Sequence, residues 1–244
     1  MKNAKIGIVL QARLDSSRLP RKSLLPLDGK PLILRVMEAL NAVSADVRAL
    51  ACPEDSVAAF QPLAAAAGFA LFAGPKDDVL KRYCLVAREF GISHVIRATG
   101  DNPFVFADAA NDIKTQAIAV GADYAGYAGL PLGGGGEIVS ADALFRAEKD
   151  AQSPFEREHV CPYLYNHPEF FLLHRPLSPC EWQGRHARIT VDTQEDYERA
   201  QALYGALSKA EQEAQVSGNW RYTGAAIIKT RARVFGKAGA GESA

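Results

Sequence analysis

The chain carries, at residues 6–22, the sequence IGIVLQARLDSSRLPRK. Its first five residues are apolar or glycine and rich in β-branched side chains, which is typical of a strand covered on both faces of a sheet. The following twelve residues are mostly polar and hold four cations against one carboxylate. A buried strand that opens into a cationic loop predicts a ligand site at the carboxyl end of a sheet strand.

The alternation of apolar strands and amphipathic helices continues along the chain. We predict further strands at 47–52, 69–72, 94–99, 123–126, 170–173 and 187–191, and helices that begin near 31, 54, 78, 107, 141, 154 and 195. Strands and helices that alternate at this spacing predict an α/β fold with a mostly parallel, doubly wound sheet. Such sheets bind ligands outside the carboxyl ends of their strands, so the residues that follow each strand are the candidates for function.

Charge and composition limit the classes of function. The 244 residues include 28 Lys+Arg and 28 Asp+Glu, and this balance argues against a general nucleic-acid or membrane-surface binder. The apolar runs are far shorter than the roughly 20 residues that span a bilayer, and the amino terminus lacks a secretory signal, so we expect no membrane insertion and a cytoplasmic location. The four cysteines are scattered without a CxxC pair, which argues against a disulfide framework and a structural zinc site.

The loop after the first strand contains neither a GxGxxG nor a GxxxxGK[ST] motif. Its cations Arg13, Arg18, Arg21 and Lys22 instead lie within ten residues, beside two serines. Such a loop can neutralise a polyphosphate through charge-assisted hydrogen bonds, and the alternative is a solvated basic loop. Its position at the carboxyl end of a strand favours the phosphate site.

Two carboxylates follow two other predicted strands. Asp101 comes directly after the strand at 94–99, and Asp192 comes directly after Val191. Carboxylates on two strand ends can hold Mg²⁺ against substrate phosphates. For Asp192 the alternative is a helix N-cap, although Thr193 offers a second candidate for that cap.

A series of motifs in order along residues 6–198 adds to these observations. They are Ile8-Val9-Leu10-Gln11-Ala12-Arg13, Ser17-Arg18-Leu19-Pro20, Lys22, Leu27-Asp28-Gly29-Lys30-Pro31-Leu32, Asp78-Val79-Leu80-Lys81-Arg82-Tyr83, Gly100-Asp101-Asn102-Pro103, Glu158-His159-Val160 and Val191-Asp192-Thr193-Gln194-Glu195-Asp196. The chain thereby resembles the cytidylyltransferases that make CMP-activated acidic sugars, including the CMP-3-deoxy-octulosonate and acylneuraminate synthetases. It is most similar to their branch named after spore-coat polysaccharide biosynthesis.

The resemblance implies a nucleotide-diphospho-sugar-transferase-like fold and an enzyme that transfers CMP from CTP to an acidic sugar with release of pyrophosphate. It implies Mg²⁺ as the cofactor and a homodimer, while the charge balance predicts no nucleic-acid partner. We expect one nucleotidyltransferase domain over 1–236, a smaller acceptor-side and dimerisation insertion at about 127–186, and a disordered tail at 237–244. Two alternatives stay open: another nucleotide or a phosphorylated acceptor, or a catalytically silent nucleotide-binding partner in glycan synthesis.

The resemblance also implies roles for individual residues. Arg13 and Lys22 would hold the β- and γ-phosphates, and Asp101 and Asp192 would ligate the metal, so these four form the catalytic set. The further nucleotide-binding residues would be Ala12, Ser17, Arg18, Arg82 and Thr99, and the acceptor-binding residues Arg97, Asn102, Glu137, Glu158 and His159. The alternatives are a solvent-facing helix position for Arg82 and an internal salt bridge for Arg97. For Glu137, Glu158 and His159 the alternative is a surface carboxylate or a hydrogen-bonded helix residue, and for Glu158 this alternative is favoured.

The sequence departs from the family pattern at three places. Arg21 stands where a glycine is usual, Phe106-Ala107-Asp108 replaces an acidic-proline exit, and the glycines at 133–136 form a shortened acceptor-side segment. The first change keeps the charge pattern of the loop. The other two lie where the sugar would be recognised, so the identity of the acceptor stays open.

Overall fold

The computed structural model describes residues 4–215 and 218–236. The strands are β1 (Ile6–Gln11), β2 (Pro26–Leu27), β3 (Lys30–Pro31), β4 (Val47–Cys52), β5 (Ala70–Ala73), β6 (His94–Thr99), β7 (Tyr124–Ala125), β8 (Glu137–Ser140) and β9 (Leu173–His174). The α-helices are α1 (Leu32–Asn41), α2 (Val57–Ala67), α3 (Val79–Phe90), α4 (Ala107–Val120), α5 (Ala141–Asp150), α6 (Pro154–His159), α7 (Pro162–Asn166), α8 (Gln194–Glu213) and α9 (Gly224–Phe235).

Seven of these strands form one sheet in the order β5-β4-β1-β6-β8-β7-β9, while β2 and β3 pair with each other. Strands β5, β4, β1 and β6 are parallel, and β8 runs antiparallel to both of its neighbours. Because Gln11 pairs with Thr99 on one side and with Ala51 on the other, the loops after β1 and β6 leave the sheet at one level. The mostly parallel α/β sheet is therefore confirmed.

Strand β1 lies between two hydrophobic layers, as the opening sequence predicts. Ile8 and Leu10 belong to a buried cluster shared with α1, α2, α4 and α8, whereas Val9 belongs to the opposite cluster with α3 and α5. All three side chains have no exposed surface. Because neither face of β1 is open to solvent, the edge at its carboxyl end is where this part of the sheet can present polar groups to a ligand.

Two strand predictions are wrong. Residues 187–191 form only a single bridge, in which Leu132 donates to the Ala187 carbonyl and accepts from the Ile189 amide, both at 2.9 Å. The chain then leaves Leu132, so no ladder continues. Residues 168–170 form a turn, so the last strand of the sheet begins at Leu173 instead of at 170.

Two further expectations concern the extent of the chain. The division into one domain over 1–236 with an insertion over about 127–186 stays a prediction. The tail at 237–244 lies outside the described residues. Within the ranges that are described, no helix is both long enough and apolar enough to cross a bilayer.

Candidate active site

A cleft of about 330 Å³ lies at the carboxyl ends of β1 and β6. The sequence-predicted residues that line it are Ala12, Arg13, Ser17, Arg18, Lys22, Arg82, Arg97, Thr99, Asp101, Glu158, His159 and Asp192. Asn102 and Glu137 are the predicted site residues that do not line it. The topology thus gathers residues that are up to 180 positions apart in sequence into one place.

Lys22 lies at the centre of the charged groups in this cleft. Its ammonium donates to Asp101 Oδ2 at 2.9 Å, to Asp192 Oδ1 at 2.8 Å and to the Val191 carbonyl at 2.9 Å. The Lys22 side chain is only 14% exposed. Two carboxylates from separate loops therefore share one cation at this edge of the sheet.

The loop after β6 is held in a fixed position against β1. The Gly100 amide donates to the Gln11 carbonyl at 2.8 Å, and a Cβ at Gly100 would lie 2.9 Å from Ala12 Cβ and from Ile33 Cδ1. Only glycine fits such a close approach. The Thr99 hydroxyl donates to Asp101 Oδ1 at 2.7 Å, so both oxygens of this carboxylate have a partner.

A backbone hydrogen bond joins the two carboxylate loops. The Val191 amide donates to the Asp101 carbonyl at 2.9 Å, which brings the segment before α8 against the loop after β6. Thr193, and not Asp192, caps α8, because its hydroxyl accepts from the Asp196 amide at 3.2 Å in a capping box. The N-cap alternative for Asp192 is therefore wrong, and its carboxylate faces cations instead.

Three cations surround the Asp192 carboxylate. Besides Lys22, the Arg18 guanidinium lies 3.0 Å from Oδ1, and the Arg188 guanidinium donates to Oδ2. Partial burial raises the pKa of Asp192, but the hydrogen bond and charge of Lys22, with the charges of Arg18 and Arg188, outweigh it. The pKa of Asp192 therefore lies below its usual range, and this group is ionised at neutral pH.

Arg13, another cation of the loop, makes exposed ion pairs. Arg13 lies 3.4 Å from Glu158 and 3.7 Å from Asp15, and about half of its side chain is exposed. Exposed pairs contribute little to stability and exchange readily for a stronger ligand. The Glu158 pair also connects the cationic loop to α6, which forms the opposite wall of the cleft.

The backbone of Arg21 explains why a glycine is usual at this position. Its φ of 53° and ψ of 30° lie in the left-handed region, immediately before the 3-10 turn at Lys22–Leu24. Glycine adopts that conformation without steric cost, whereas arginine does not. The turn then aims Lys22 at the two carboxylates.

Arg82 is not a solvent-facing helix residue. It is 2% exposed, its guanidinium donates to the Pro75 carbonyl, and its buried Nε has no hydrogen-bond partner among the described residues. Burial lowers the pKa of this guanidinium. Arg82 is thus a buried cation at the border of the cleft, and its Nε–H donor is not used within the part of the chain that the structure describes. Such a group is suited to bind an oxygen-rich ligand.

Arg97 lines the cleft and forms an ion pair with Glu137, which lies behind it. They are register partners on β6 and β8, and Arg97 donates to Glu137 Oε2 at 2.7 Å. The Tyr124 hydroxyl donates to the other oxygen of Glu137 at 2.7 Å. Burial lowers the pKa of Arg97, but the Glu137 charge outweighs it and raises that pKa. The salt-bridge alternative for Arg97 is confirmed.

Asn102 likewise supports the cleft from behind, since its side-chain amide donates to the Thr99 hydroxyl at 2.9 Å. Sequence reasoning missed Gln11, Ser16, Ser23 and Val79, which line the cleft, and Arg188, which holds Asp192. Gln11 is the last residue of β1, so the strand-end rule could have found it. Arg188 lies four residues before Asp192, in a segment that was predicted to be a strand. The strand pattern did not indicate that the Arg188 side chain reaches Asp192.

The donor set of the cleft fits Mg²⁺. Asp101 and Asp192 are two hard oxygen ligands that already converge on one cationic group, the Lys22 ammonium. No cluster of three or more potential protein ligands occurs within residues 4–215 and 218–236. Mg²⁺ is commonly held by one or two carboxylates plus substrate phosphates, so a pair of this kind is sufficient.

Comparisons with known proteins show the family and the fold. The spore coat polysaccharide biosynthesis protein SpsF of Bacillus subtilis (strain 168) is 34% identical over 207 residues, which cover 82% of this chain and 86% of the relative. A 3-deoxy-manno-octulosonate cytidylyltransferase of Anaeromyxobacter dehalogenans (strain 2CP-C) is 29% identical, over 82% of this chain and 98% of its own. The solved structure of a cytidylyltransferase from Leptospira borgpetersenii superposes with a TM-score of 0.77 at 24% identity, over 87% of this chain and 96% of that one. A sequence model described as cytidylyltransferase matches residues 6–223, and the chain therefore belongs to the cytidylyltransferase family of nucleotidyltransferases.

Proposed function

We propose that the protein transfers CMP from CTP to an acidic sugar, a ulosonic or nonulosonic acid or a related surface-polysaccharide precursor, with release of pyrophosphate. The observation that carries the proposal is the position of Lys22 between Asp101 and Asp192, beside the cationic loop. This arrangement offers cations to a triphosphate and two carboxylates to a divalent metal.

The reaction conserves charge and atoms without a covalent enzyme intermediate. A hydroxyl oxygen of the acceptor attacks the α-phosphorus of CTP and forms the new O–P bond, and the bond from the α-phosphorus to the α,β-bridging oxygen breaks. The electron pair leaves with pyrophosphate, and the hydroxyl proton is lost to solvent. Catalysis then consists of positioning and charge neutralisation, which are the tasks of Arg13 and Lys22 at the leaving group.

Asp101 and Asp192 would hold Mg²⁺. When bound, this ion supplies Lewis-acid chemistry, which neutralises phosphate charge and makes the acceptor hydroxyl more acidic. The carboxylate oxygens that face Lys22 cannot serve the ammonium and a metal at once. We therefore assign the Lys22 ammonium to the phosphates when CTP is bound, with Arg13, Ser17 and Arg18 along the same loop.

The other predicted residues divide between the two substrates. Ala12, Thr99, Arg82, Glu158 and His159 all line the cleft, and we assign the first three to the nucleotide side and the last two, on α6, to the acceptor side. Arg97 faces the cleft as a cation for the acceptor carboxylate, while Glu137 and Asn102 act from behind it by holding Arg97 and Thr99. The relative that acts on 3-deoxy-manno-octulosonate supports an acidic sugar as acceptor, and SpsF supports a polysaccharide pathway.

A pyrophosphate-release assay tests this function. Purified protein is incubated with CTP and Mg²⁺ and with a panel of ulosonic, nonulosonic and phosphorylated acceptors. We expect release with an acidic sugar and none without an acceptor. Binding of CTP without release across the whole panel would contradict the enzyme and support a nucleotide-binding partner.

The choice of nucleotide has its own measurement. Thermal unfolding with Mg²⁺ and each of CTP, UTP, GTP and ATP should show the largest stabilisation with CTP. Equal stabilisation by UTP would contradict the preference for cytidine. The homodimer and the cytoplasmic location stay predictions, and light scattering on the purified protein would test the first.

A further inference from the structure

Arg188 lies four residues before Asp192 and bridges two carboxylates. Its Nη2 donates to Asp192 Oδ2, and its Nε lies 3.2 and 3.3 Å from the two oxygens of Asp196. A guanidinium can make such a bridge because its donors form a rigid planar fork. Arg188 therefore holds the side of the Asp192 carboxylate that faces away from Lys22.

Both ends of this bridge are fixed by the backbone. On one side, Leu132 donates to the Ala187 carbonyl and accepts from the Ile189 amide, which fixes the main chain on either side of Arg188. On the other side, Asp196 Oδ2 accepts from the amides of Asp192 and Thr193, at 3.0 and 3.1 Å. This second anchor is the first turn of α8, a helix of 20 residues.

The two carboxylate oxygens of Asp192 therefore have different partners and face in different directions. Oδ2 accepts from Arg188, while Oδ1 faces Lys22 at 2.8 Å and Arg18 at 3.0 Å, on the side of Asp101. The cations on Oδ1 belong to the cationic loop and line the cleft, where CTP would draw them to its phosphates. Arg188 does not line that cleft and is also held by Asp196, so we expect it to stay on Oδ2 when the loop cations leave.

We propose that Arg188 is a positioning residue that holds the Asp192 carboxylate with Oδ1 directed at the shared cation position. The inference rests on the proposed function, in which Asp192 holds a divalent metal. Without Arg188 the carboxylate can rotate, and the neighbouring charge of Asp196 repels it, so the oxygen aimed at the metal is lost. Supporting residues of this kind typically change metal affinity by about 10–100-fold when they are removed.

A purely electrostatic role for Arg188 makes the opposite prediction. A cation beside a metal ligand competes with the metal, so its removal would tighten metal binding. The sign of the change in affinity therefore distinguishes a positioning residue from a charge competitor. It does so before any turnover is measured.

The test is a titration of the full-length protein with Mn²⁺ in the presence of CTP and without an acceptor, followed by electron paramagnetic resonance of free Mn²⁺. For Arg188→Met we expect Mn²⁺ binding about 10–100-fold weaker than in the wild type. The matched control is Arg199→Met, because Arg199 on α8 pairs with the exposed Glu195 at 2.8 Å and does not contact Asp192. Its affinity for Mn²⁺ should stay at the wild-type value.

Two further variants keep the test independent of the folding of Arg188→Met. Arg188→Lys keeps the charge but replaces the fork by a single ammonium, and we expect it to weaken Mn²⁺ binding as well. Asp196→Asn keeps an acceptor for the two amides but removes the charge that holds Arg188, and it should weaken binding in the same direction. In an acceptor assay these variants should lower kcat and leave the KM of the acceptor unchanged.

The outcomes separate the inference from the proposed function. If the wild type binds Mn²⁺ with CTP and folded Arg188→Met or Asp196→Asn binds it equally or more tightly, the positioning role is overturned and the proposed function stands. If the wild type itself does not bind Mn²⁺ with CTP, the metal pair of the proposed function fails and the inference fails with it. Weaker binding in the variants with an unchanged Arg199→Met supports the positioning role.

Discussion

Two groups of ion pairs at the same edge of the sheet have opposite structural settings. Lys22, Asp101 and Asp192 come from three loops, and the group lines the cleft. Arg97 and Glu137 are partners on neighbouring strands, and the second oxygen of Glu137 is taken by Tyr124. The first group can exchange its internal cation for a ligand, whereas in the second the ladder between β6 and β8 keeps Arg97 paired with Glu137 where Arg97 borders the cleft.

The difference shows that the supporting backbone, and not the residue types, decides what a cation–carboxylate pair does. The side chains of loop residues at strand ends can change partners when a ligand arrives, because no sheet ladder fixes those partners, while backbone hydrogen bonds such as that from Val191 to Asp101 hold the loops themselves. Strand residues cannot shift without breaking the sheet. We therefore expect substitutions in the first group to change turnover and substitutions in the second to change stability.

The largest effect is expected at the two carboxylates of the first group. Asp101→Asn and Asp192→Asn should each lower the rate of pyrophosphate release by about a hundredfold or more, because a charged partner of the transition state is lost. Both variants should stay folded, since asparagine keeps the size and most hydrogen bonds. Asp142→Asn, at the start of α5, is the matched control. Wild-type rates in both site variants would contradict the assignment of the metal pair.

The second group should show the reverse behaviour. Glu137→Gln removes the charge that pairs with Arg97 and leaves a buried cation poorly satisfied, so we expect a loss of about 1–3 kcal/mol in the free energy of unfolding. Urea unfolding measures it. Glu195→Gln, which removes an exposed partner of Arg199, should cost less than about 1 kcal/mol. Loss of activity in Glu137→Gln without loss of stability would show that the Arg97–Glu137 pair serves the acceptor and does not support the sheet.

The sequence predicted the first group better than the second, for a local reason. The cationic loop and Asp101 directly follow strands, and the strand-end rule needs only the apolar runs of β1 and β6. The hydrogen bond that brings Asp192 beside Asp101 is tertiary, so the strand-end rule offered the two carboxylates only as a candidate pair, which the resemblance then supported. Residues 187–191 were mispredicted because alternating apolar residues give the same sequence pattern in a single bridge and in a ladder. The helical pattern around Arg82 does not show whether its side chain faces a cleft or solvent.

A pH series sharpens the contrast at Asp192. Partial burial raises the pKa of Asp192 in the folded protein, but Lys22, Arg18 and Arg188 lower it by more. The ionised carboxylate therefore stabilises the folded state above the unfolded pKa of about 3.9. This contribution is lost as the pH falls through the folded pKa. The difference in unfolding free energy between the wild type and Asp192→Asn should therefore shrink from pH 5 to pH 3. The effect should be smaller than that of Glu137→Gln, because solvent screens the exposed part of the cation cluster. A constant difference over this range would show that the cations do not act on Asp192.

The smallest effect is expected at Arg21, where conformation and charge can be separated. The left-handed backbone costs a non-glycine residue about 1–2 kcal/mol, and a glycine there loses about 0.5–1 kcal/mol to the entropy of the unfolded chain. Arg21→Gly should thus change the free energy of unfolding by no more than about 1 kcal/mol. Since the exposed Arg21 side chain does not line the cleft, pyrophosphate release should stay within about twofold of the wild type. Arg21→Ala, which removes the charge but keeps the strain, is the control. A drop of about tenfold in the rate of pyrophosphate release in both variants would show that the Arg21 charge acts on the phosphates. Arg21 would then have a catalytic role at a position where the backbone conformation favours glycine.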